Sequence, residues 1–494
     1  TSISIRDANA LTLGAPSLHG ANTAITAVAG TTLTLPAYNY STGAGSIDFQ
    51  GLNGSLATNG TLTTTTGDIS LSGSAGITLS HNLTTGGGNI LLLDAVTLGN
   101  SVVLTSGGGD ITAAQTISGT TASAQNLGLA AGAGDITVTG NLGATRLGLL
   151  TVTSGNVVQF QGAGTQRVGG LTVSQSGSTA FTGNVNVSNG ISLAAGAGNV
   201  SFLDGLTTGA ASTFAATGTL QIGDATADVS SIASGLSRAS GLPTVLAGDI
   251  TVTGPVSLSG TTIPSGQVAT INSGANAVSF NAAVDGPGGL AVNSGGVTTF
   301  TGQVGASTPL SSLTTNAAGT TVISGGLVST DGAAGQTYND PVSIGAGPAT
   351  TVFLSNGFDV TFNQTLTGNA GDIIFGALAT PLGNLQVVGA LTNVDDFDVF
   401  AASASVNSGN NNAINRVAFN TTGNVSHFDQ GGIDLDTSDV GGNLILSADT
   451  GNITQIGPVN ITGSATVSTN RGGIITGGAG NGEGEDLQRA DRKS

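Results

Sequence analysis

The sequence contains no cysteine, methionine or tryptophan, and charged residues make up only 7% of its 494 residues. The missing cysteines exclude disulfide bonds and thiolate metal sites. The two glutamates, Glu483 and Glu485, and the single lysine, Lys493, all lie near the C-terminus. Because Glu and Lys are strong helix formers, a chain that avoids them is expected to contain almost no helix.

The formal net charge is −18. A negative surface repels phosphate backbones, so we expect no nucleic-acid partner. No apolar run approaches the roughly 20 residues of a membrane-spanning helix, and we expect no membrane insertion. The chain begins at Thr1 without a recognisable signal peptide, which suggests a processed product or a piece of a longer polypeptide. Hydrophobic residues make up 38%, which argues against disorder.

What the sequence does contain is a repeat. The segment LAAGAGDITVTGNL (Leu129–Leu142) returns further along the chain as LAAGAGNVSFLDGL (Leu193–Leu206). Its central phrase, Gly followed by Asp or Asn and then Ile or Val, begins at Gly67, Gly88, Gly109, Gly134, Gly155 and Gly198. Most of these positions lie about 21 residues apart, a period that is typical of solenoid repeats. Short alternating segments separated by Gly, Asn and Asp are typical of strands joined by turns.

Phenylalanines follow the same period. Phe160, Phe181 and Phe202 are separated by this interval, and Phe280 and Phe300 are separated by nearly the same one. A parallel β-helix accounts for this spacing, because each coil returns the chain to the same edge and stacks equivalent side chains. We therefore predict that these five phenylalanines form interior ladders, with Asp and Asn interchangeable at the corners.

The predicted fold is all-β: a single-stranded parallel β-helix, or solenoid, of about 23 coils with about 20–21 residues each. We predict one continuous shaft over residues 1–476, with irregular excursions at about 224–248 and 393–420. The first excursion is interpreted as a loop or short helix, and the second as a protruding loop around its asparagine run. Residues 477–494 are predicted to form a flexible charged tail or linker.

Two longer stretches carry a resemblance to a known family. The segments GGLAVNSGGVTTFTGQVGASTPLSSLTT and AGQTYNDPVSIGAG, together with DANALTLGA near the start, resemble repeats of large secreted bacterial adhesins of the filamentous-haemagglutinin type, including autotransporter-like exoproteins. The resemblance implies a right-handed β-helix, export through the outer membrane and an extracellular or cell-surface location. It further implies a role in adhesion, biofilm or surface structure.

The sequence offers little support for catalysis. Arginines are scattered, apart from Arg146 and Arg167, which are one period apart and which we interpret as a solvated face. The three histidines, His19, His81 and His427, are far apart, and no Ser or Thr has a His–Asp context. Polysaccharide lyases and hydrolases are also built on β-helices and remain the enzymatic alternative. We expect no enzyme and no cofactor other than a possible cation.

Two acidic stretches suggest a calcium site. DLDTSD supplies Asp434, Asp436 and Asp439, and DDFD supplies Asp395, Asp396 and Asp398. Because positions i and i+2 of a strand share a face, Asp434 and Asp436 are predicted to point the same way, and Ca²⁺ accepts such oxygens. The competing interpretation is an exposed acidic turn.

The expected function is structural: the shaft of a secreted surface fibre that associates with itself or with more repeats of the same polypeptide. The alternative is an adhesin whose side loops, at Asp224–Gly248 or around Asn410–Asn412, contact a glycan or a surface protein. Repeated Thr-x-Thr steps such as TLTTTTG leave ice binding as a further alternative, although threonine is also a common strand residue.

Overall fold

The computed structural model describes residues 2–14, 22–408, 414, 416–471 and 473–476. Over these residues the protein is all-β with no helix, and parallel strands stack as a β-solenoid of about 22 turns with about 21 residues each. This confirms the predicted fold class and coil length. Two units are distinguished, Thr1–Val245 and Leu246–Ser494. The predicted tail, 477–494, lies outside the described residues.

Most strands are short, because a corner follows every few residues. In chain order, the strands that lie within the first unit, β1 to β28, are Ser2–Asp7, Leu11–Thr12, Ala24–Ala29, Leu33–Leu35, Tyr40–Ser41, Ile47–Gly51, Leu56–Thr58, Leu62–Thr64, Ile69–Gly73, Ile77–Leu79, Leu83–Thr85, Ile90–Leu92, Val96–Leu98, Val102–Thr105, Ile111–Ala113, Ile117–Gly119, Leu127–Ala130, Ile136–Val138, Leu147–Ser154, Val157–Phe160, Gln166–Phe181, Val185–Val187, Ile191–Phe202, Leu206–Thr208, Thr213–Phe214, Leu220–Ile222, Val229–Ile232 and Leu236–Ser237. Strand β29, Thr244–Leu246, contains the boundary between the units.

The second unit has the same character. Its strands, β30 to β57, are Gly248–Val252, Val256–Leu258, Thr261–Thr262, Val268–Gly274, Val278–Phe280, Val284–Asp285, Gly289–Ser294, Val297–Phe300, Leu310–Thr315, Thr320–Ile323, Leu327–Tyr338, Val342–Ile344, Thr350–Leu354, Val360–Phe362, Leu366–Thr367, Asp372–Phe375, Leu382–Val387, Leu391–Thr392, Asp396–Ser408, Arg416–Thr421, Val425–Asp429, Ile433–Leu435, Ser438–Val440, Leu444–Ala448, Ile453–Gln455, Val459–Ile461, Ala465–Thr469 and Ile475–Thr476.

A typical turn contains three strands, as in β10, β11 and β12 of the first unit (Ile77–Leu79, Leu83–Thr85 and Ile90–Leu92). Each strand pairs in parallel with the strand one turn earlier and the strand one turn later. The hydrogen bonds of the strands therefore run between turns rather than within them, and every turn depends on its neighbours.

The core is a set of one-residue-per-turn rows. In most strands the first and third residues face inward and the second faces outward. One inward row of the first unit, with members opposite one another in successive turns and 0–3% exposed, consists of Ile25, Ile47, Ile69, Ile90, Ile111 and Ile136. Continuous burial of such rows supplies the main favourable term for folding.

The second unit repeats this arrangement. Ile250, Ile271 and Val292 stand opposite one another in successive turns, and each is at most 1% exposed. Within it, the described residues of the second predicted excursion include the long strand Asp396–Ser408 and the strand Arg416–Thr421. The asparagine run Asn410–Asn412 lies outside the described residues.

The first predicted excursion contains a loop and short strands. Residues 224–248 contain the strands Val229–Ile232, Leu236–Ser237 and Thr244–Leu246, and no helix is described there. A short loop precedes them, in which Oδ2 of Asp228 accepts the backbone N–H groups of Asp224 and Ala225, both at 2.8 Å. One carboxylate oxygen thus satisfies two backbone donors of this loop.

A buried arginine lies in the same region of the first unit. Arg238 is 3% exposed. Its guanidinium donates to the carbonyl oxygens of Phe214 at 2.7 Å, Ala216 at 2.8 Å and Gly218 at 2.7 Å. Burial lowers its pKa. The irregular sequence here therefore places a hydrogen-bonded arginine in the core of this turn.

Candidate functional site

The sequence-predicted phenylalanines are in contact inside the protein. The rings of Phe160 and Phe181 stack with centroids 4.5 Å apart, and those of Phe181 and Phe202 with centroids 5.4 Å apart. In the second unit, Phe280 stacks on Phe300 at 5.0 Å. All five are at most 1% exposed. These rings contribute packing rather than chemistry.

A second group of aromatic rings was not predicted. Tyr338 stacks on Phe362 at 4.6 Å and Phe353 stacks on Phe375 at 5.0 Å, while Phe353 also meets Phe362 edge to face. Tyr338 and Phe362 are further apart in the sequence than the common period, because the turn between them is longer. Allowing variable turn lengths would have revealed these pairs in the sequence.

The recurring Gly–Asp/Asn phrase forms a corner in which a side chain links successive turns. Oδ1 of Asp68 accepts the backbone N–H of Asn89 at 2.7 Å, and Oδ1 of Asn89 accepts that of Asp110 at 2.8 Å. Asp110 in turn accepts the N–H of Asp135 at 2.9 Å. The corner requires an oxygen acceptor rather than a charge, which explains why either Asp or Asn occurs there.

A buried hydroxyl closes the same corner from inside. Thr64, Thr85 and Ser106 stand in successive turns, each at most 2% exposed. Each donates its hydroxyl to the carbonyl oxygen of the glycine three residues later, namely Gly67, Gly88 and Gly109 respectively. This leaves the corner carbonyls paired although they are out of reach of a strand partner.

Within the part of the chain that the structure describes, ion pairs concentrate on the outside of the second unit, around Arg416 at the start of its strand. The guanidinium is 2.9 Å from Oδ2 of Asp396, 3.5 Å from Oδ2 of Asp398 and 2.8 Å from Oδ2 of Asp436. Their side chains are 23–33% exposed. We call these four residues the Arg416 cluster.

The residues of the Arg416 cluster shift one another's pKa values. Hydrogen bonds from Arg416 hold the pKa of Asp436 below its usual value, and hydrogen bonds to Asp436 and Asp396 raise the pKa of Arg416. Burial raises the pKa of Asp398 despite the attraction of Arg416. One guanidinium is thus the shared cation of three carboxylates. Its attraction offsets the cost of desolvation least well at Asp398.

The predicted calcium ligands are not brought together. Asp434 lies on the exposed face of the strand Ile433–Leu435, whereas Asp436 follows that strand and meets Arg416. Asp439 belongs to the next strand of the turn and accepts a hydrogen bond from Nδ2 of Asn460 at 3.0 Å. No group of three or more acidic or histidine side chains within the described residues is arranged to hold a metal ion. Calcium binding by this chain stays a prediction.

The remaining sequence-selected side chains are dispersed. Arg167 is exposed, while Arg146 is half-buried and donates to the carbonyl oxygens of Val168 at 2.8 Å and Asn186 at 3.0 Å. His81 is half-buried in the first unit and His427 is buried in the second. His19 lies outside the described residues. Among the residues that the structure describes, none forms a helix long and apolar enough to cross a membrane.

A shallow groove of about 510 Å³ runs over several turns of the first unit. Exposed amides of Asn156 and Gln175 line it together with Ser154, Gly177 and Gly196. A Cβ atom on Gly177 would lie 2.8 Å from the carbonyl oxygen of Asn156, so packing between turns already requires that glycine. The groove presents hydrogen-bonding groups without a charge.

Fold and side chains together define a β-solenoid repeat protein. The profile of a family described as repeats of unknown function (DUF5649) matches residues 422–484, which include the strands from Val425–Asp429 to Ile475–Thr476. No curated protein and no solved structure matches the chain.

Proposed function

We propose that this protein is the structural shaft of a secreted bacterial surface fibre, without enzymatic activity. The observation that carries the proposal is the repeated use of one residue per turn to build the core within each unit, as in the row that begins with Ile25, Ile47 and Ile69. In such a fold most side chains pack between successive turns, and few are left to converge on a catalytic site. The resemblance to filamentous-haemagglutinin-type repeats supports a location at the cell surface.

We further propose that association proceeds through the outer edge of strand β1. Strand β1, Ser2–Asp7, pairs in parallel with Ala24–Ala29, and no other partner strand is found among the described residues. Ile5 stands opposite Ala27 in an inward row but is 39% exposed. An unpaired edge with an exposed apolar row is a template for another strand. A further turn of the same pattern, from this polypeptide or a second copy, would continue the row.

Electron microscopy and light scattering of the purified full chain over a range of concentrations test this proposal. Concentration-dependent end-to-end assemblies are expected for the wild type and not for Ile5→Lys, which places a charge in the row. Leu52→Lys is the matched control, because Leu52 is 52% exposed in the same unit and lies in a turn. Monomers at every concentration, or equal assembly of both variants, would contradict the edge mechanism.

The groove of the first unit favours one second candidate, a glycan-binding adhesin. Neutral amides such as those of Asn156 and Gln175 form hydrogen bonds with sugar hydroxyls. A glycan array with the wild type and an Asn156→Ala, Gln175→Ala double variant tests this role. Binding that is lost in a folded double variant supports an adhesin, whereas no bound glycan supports the purely structural role.

A further inference from the structure

The strand Val425–Asp429 places an ionisable ring in the core of the second unit. Its alternation turns Val425, His427 and Asp429 inward. The His427 side chain is 0% exposed, and neither ring nitrogen has a hydrogen-bond partner within the described part of the chain. Polar groups withdrawn from water are normally paired, so this imidazole calls for an explanation.

Its immediate surroundings are apolar. Val406 stands opposite His427 in the preceding turn and Leu446 in the following one. The ring of Phe419, from the strand Arg416–Thr421, lies 5.7 Å from the imidazole, centroid to centroid. His427 thus occupies a position that its neighbours fill with hydrocarbon. A neutral ring is tolerated there, whereas a charged one loses its hydration.

One carboxylate lies near the ring. Oδ2 of Asp429 is 4.0 Å from Nε2 of His427, which is too long for a hydrogen bond. The other oxygen, Oδ1, accepts the backbone N–H of Gly431 at 2.6 Å. Asp429 is 1% exposed. A proton on His427 would therefore lie close to a buried carboxyl group that forms no hydrogen bond with the ring.

The other charged groups of the neighbouring strands point away. Asp396 and Asp398 belong to the strand that carries Val406, and Arg416 begins the strand that carries Phe419. All three are half-exposed members of the Arg416 cluster. The strand Leu444–Ala448 on the other side carries no ionisable side chain.

The consequence for stability has a definite sign. Burial lowers the pKa of His427 to about 4, from an ordinary value of 6.5. Because the unfolded chain binds the proton more tightly than the folded one, stability is complete above about pH 6.5 and is lost as the pH falls toward about 4. This direction is opposite to that of a histidine stabilised by an acidic partner.

We propose that the turn carrying Val425–Asp429 is an acid-sensitive joint, which opens when His427 takes up a proton while distant turns remain folded. Opening is local because each turn of a solenoid is held mainly by its immediate neighbours. The joint lies in the segment matched by the repeat family, 422–484. This inference goes beyond the proposed structural role and does not depend on it.

Hydrogen exchange of the full chain, read by mass spectrometry and corrected for intrinsic rates, tests the joint. Between about pH 7 and about pH 4.5, protection of the segments 404–408, 425–429 and 444–448 is expected to fall by roughly tenfold to a hundredfold. Segments of the first unit, such as 69–73 and 90–92, are the internal reference and are expected to change far less.

Two variants identify the group that titrates. His427→Leu introduces the residue type found one turn later at Leu446, and it is expected to abolish the acid-dependent loss of protection. His427→Phe retains a ring beside Phe419 and serves if the leucine variant does not fold. His81→Leu is the matched control in the first unit and is expected to keep the wild-type response.

Three results would overturn the proposal. The first is unchanged protection of the wild-type joint at acid pH. The second is an equal loss of protection in the non-titrating His427 variants, which would assign the effect to another group. The third is an equal loss throughout the first unit, which would indicate a general acid response. Filament formation is not measured here, so failure of the joint and failure of the fibre proposal remain distinguishable.

Discussion

Oδ1 of Asp110 accepts the backbone N–H of Asp135 at 2.9 Å, and these two aspartates occupy the same corner in successive turns. The link is directional, because each side chain serves the turn that follows. The backbone N–H of Asp110 in turn donates to Oδ1 of Asn89, one turn earlier. Since the acceptor is one oxygen, an amide replaces a carboxylate at no cost in geometry. The corner thereby stabilises the stack without adding to the negative charge wherever Asn is used.

Removing that oxygen is expected to weaken the corner. Asp110→Ala leaves the N–H of Asp135 without its partner, and we expect a loss of about 1 kcal/mol in the free energy of unfolding. Asp110→Asn retains the oxygen and is expected to match the wild type. Urea denaturation of the full chain measures both. Equal destabilisation by the two substitutions would indicate that charge rather than the acceptor matters.

Glycine is required at one position of the corner and not at its neighbour. A Cβ atom on Gly88 would lie 2.3 Å from the carbonyl oxygen of Gly67, whereas a Cβ on Gly87 meets nothing within 4 Å. Gly88→Ala must push two turns apart and is expected to cost more than about 2 kcal/mol. Gly87→Ala is expected to be neutral or slightly stabilising. Thermal denaturation of the two variants provides the comparison, and similar melting temperatures would refute the close approach.

Regular spacing decided which features could be predicted from the sequence. Phe160, Phe181 and Phe202 repeat at the common period, and their side chains meet. Tyr338 and Phe362 stack just as closely, but a longer turn separates them in the sequence. Contacts between turns can be predicted from the sequence where the turn length is constant, because the contacting residues then recur at a fixed spacing. Where the turn length varies, that spacing is lost and the contact is not apparent in the sequence.

The acidic stretches illustrate a different difficulty. Asp434 and Asp436 were predicted to share a strand face, but the strand ends at Leu435 and the chain turns before Ser438. Alternation applies only within a strand, and corners are the least predictable boundaries. The contact that does form had a signal: Asp396, Arg416 and Asp436 are evenly spaced in the sequence, at an interval close to one turn.

The aromatic ladder of the first unit is expected to be sensitive to truncation at its middle. Phe181 contacts a ring on each side, at 4.5 and 5.4 Å, so Phe181→Ala leaves a cavity that two turns share. We expect a loss of about 3–5 kcal/mol. Leu52→Ala, at an exposed position of the same unit, is expected to change stability by less than about 0.5 kcal/mol. Urea denaturation distinguishes the two, and a Phe181→Ala variant as stable as the control would exclude a tightly packed ladder.

Arg416 is expected to contribute more than an ordinary surface arginine. Arg416→Gln leaves Asp396, Asp398 and Asp436 without their cation, and we expect a loss of about 1–2 kcal/mol that shrinks at high salt. Arg471→Gln is the control, because Arg471 is 72% exposed with a single ion pair at 3.4 Å. Denaturation at low and high ionic strength measures both. Equal, salt-independent effects would argue against a shared electrostatic cluster.

The last prediction concerns a buried carboxylate of the second unit. Asp340 is 2% exposed and accepts hydroxyl hydrogen bonds from Thr315 at 2.6 Å and Thr321 at 2.8 Å. Burial raises its pKa above the ordinary value of 3.8, against the opposing effect of those two hydrogen bonds. The folded state therefore binds the proton more tightly than the unfolded state, and stability is lost as the pH rises through the folded-state pKa.

It follows that Asp340→Asn, which removes the charge and keeps an oxygen acceptor, is expected to be more stable than the wild type at neutral pH. The advantage should shrink as the pH falls through the folded-state pKa of the wild-type carboxyl. Asp249→Asn, at an exposed position of the same unit, is the control and should show no such pH-dependent gain. Melting temperatures between about pH 4 and pH 7 provide the measurement. A destabilised Asp340→Asn at neutral pH would mean that the two threonine hydroxyls compensate the ionised carboxylate more fully than its burial penalises it.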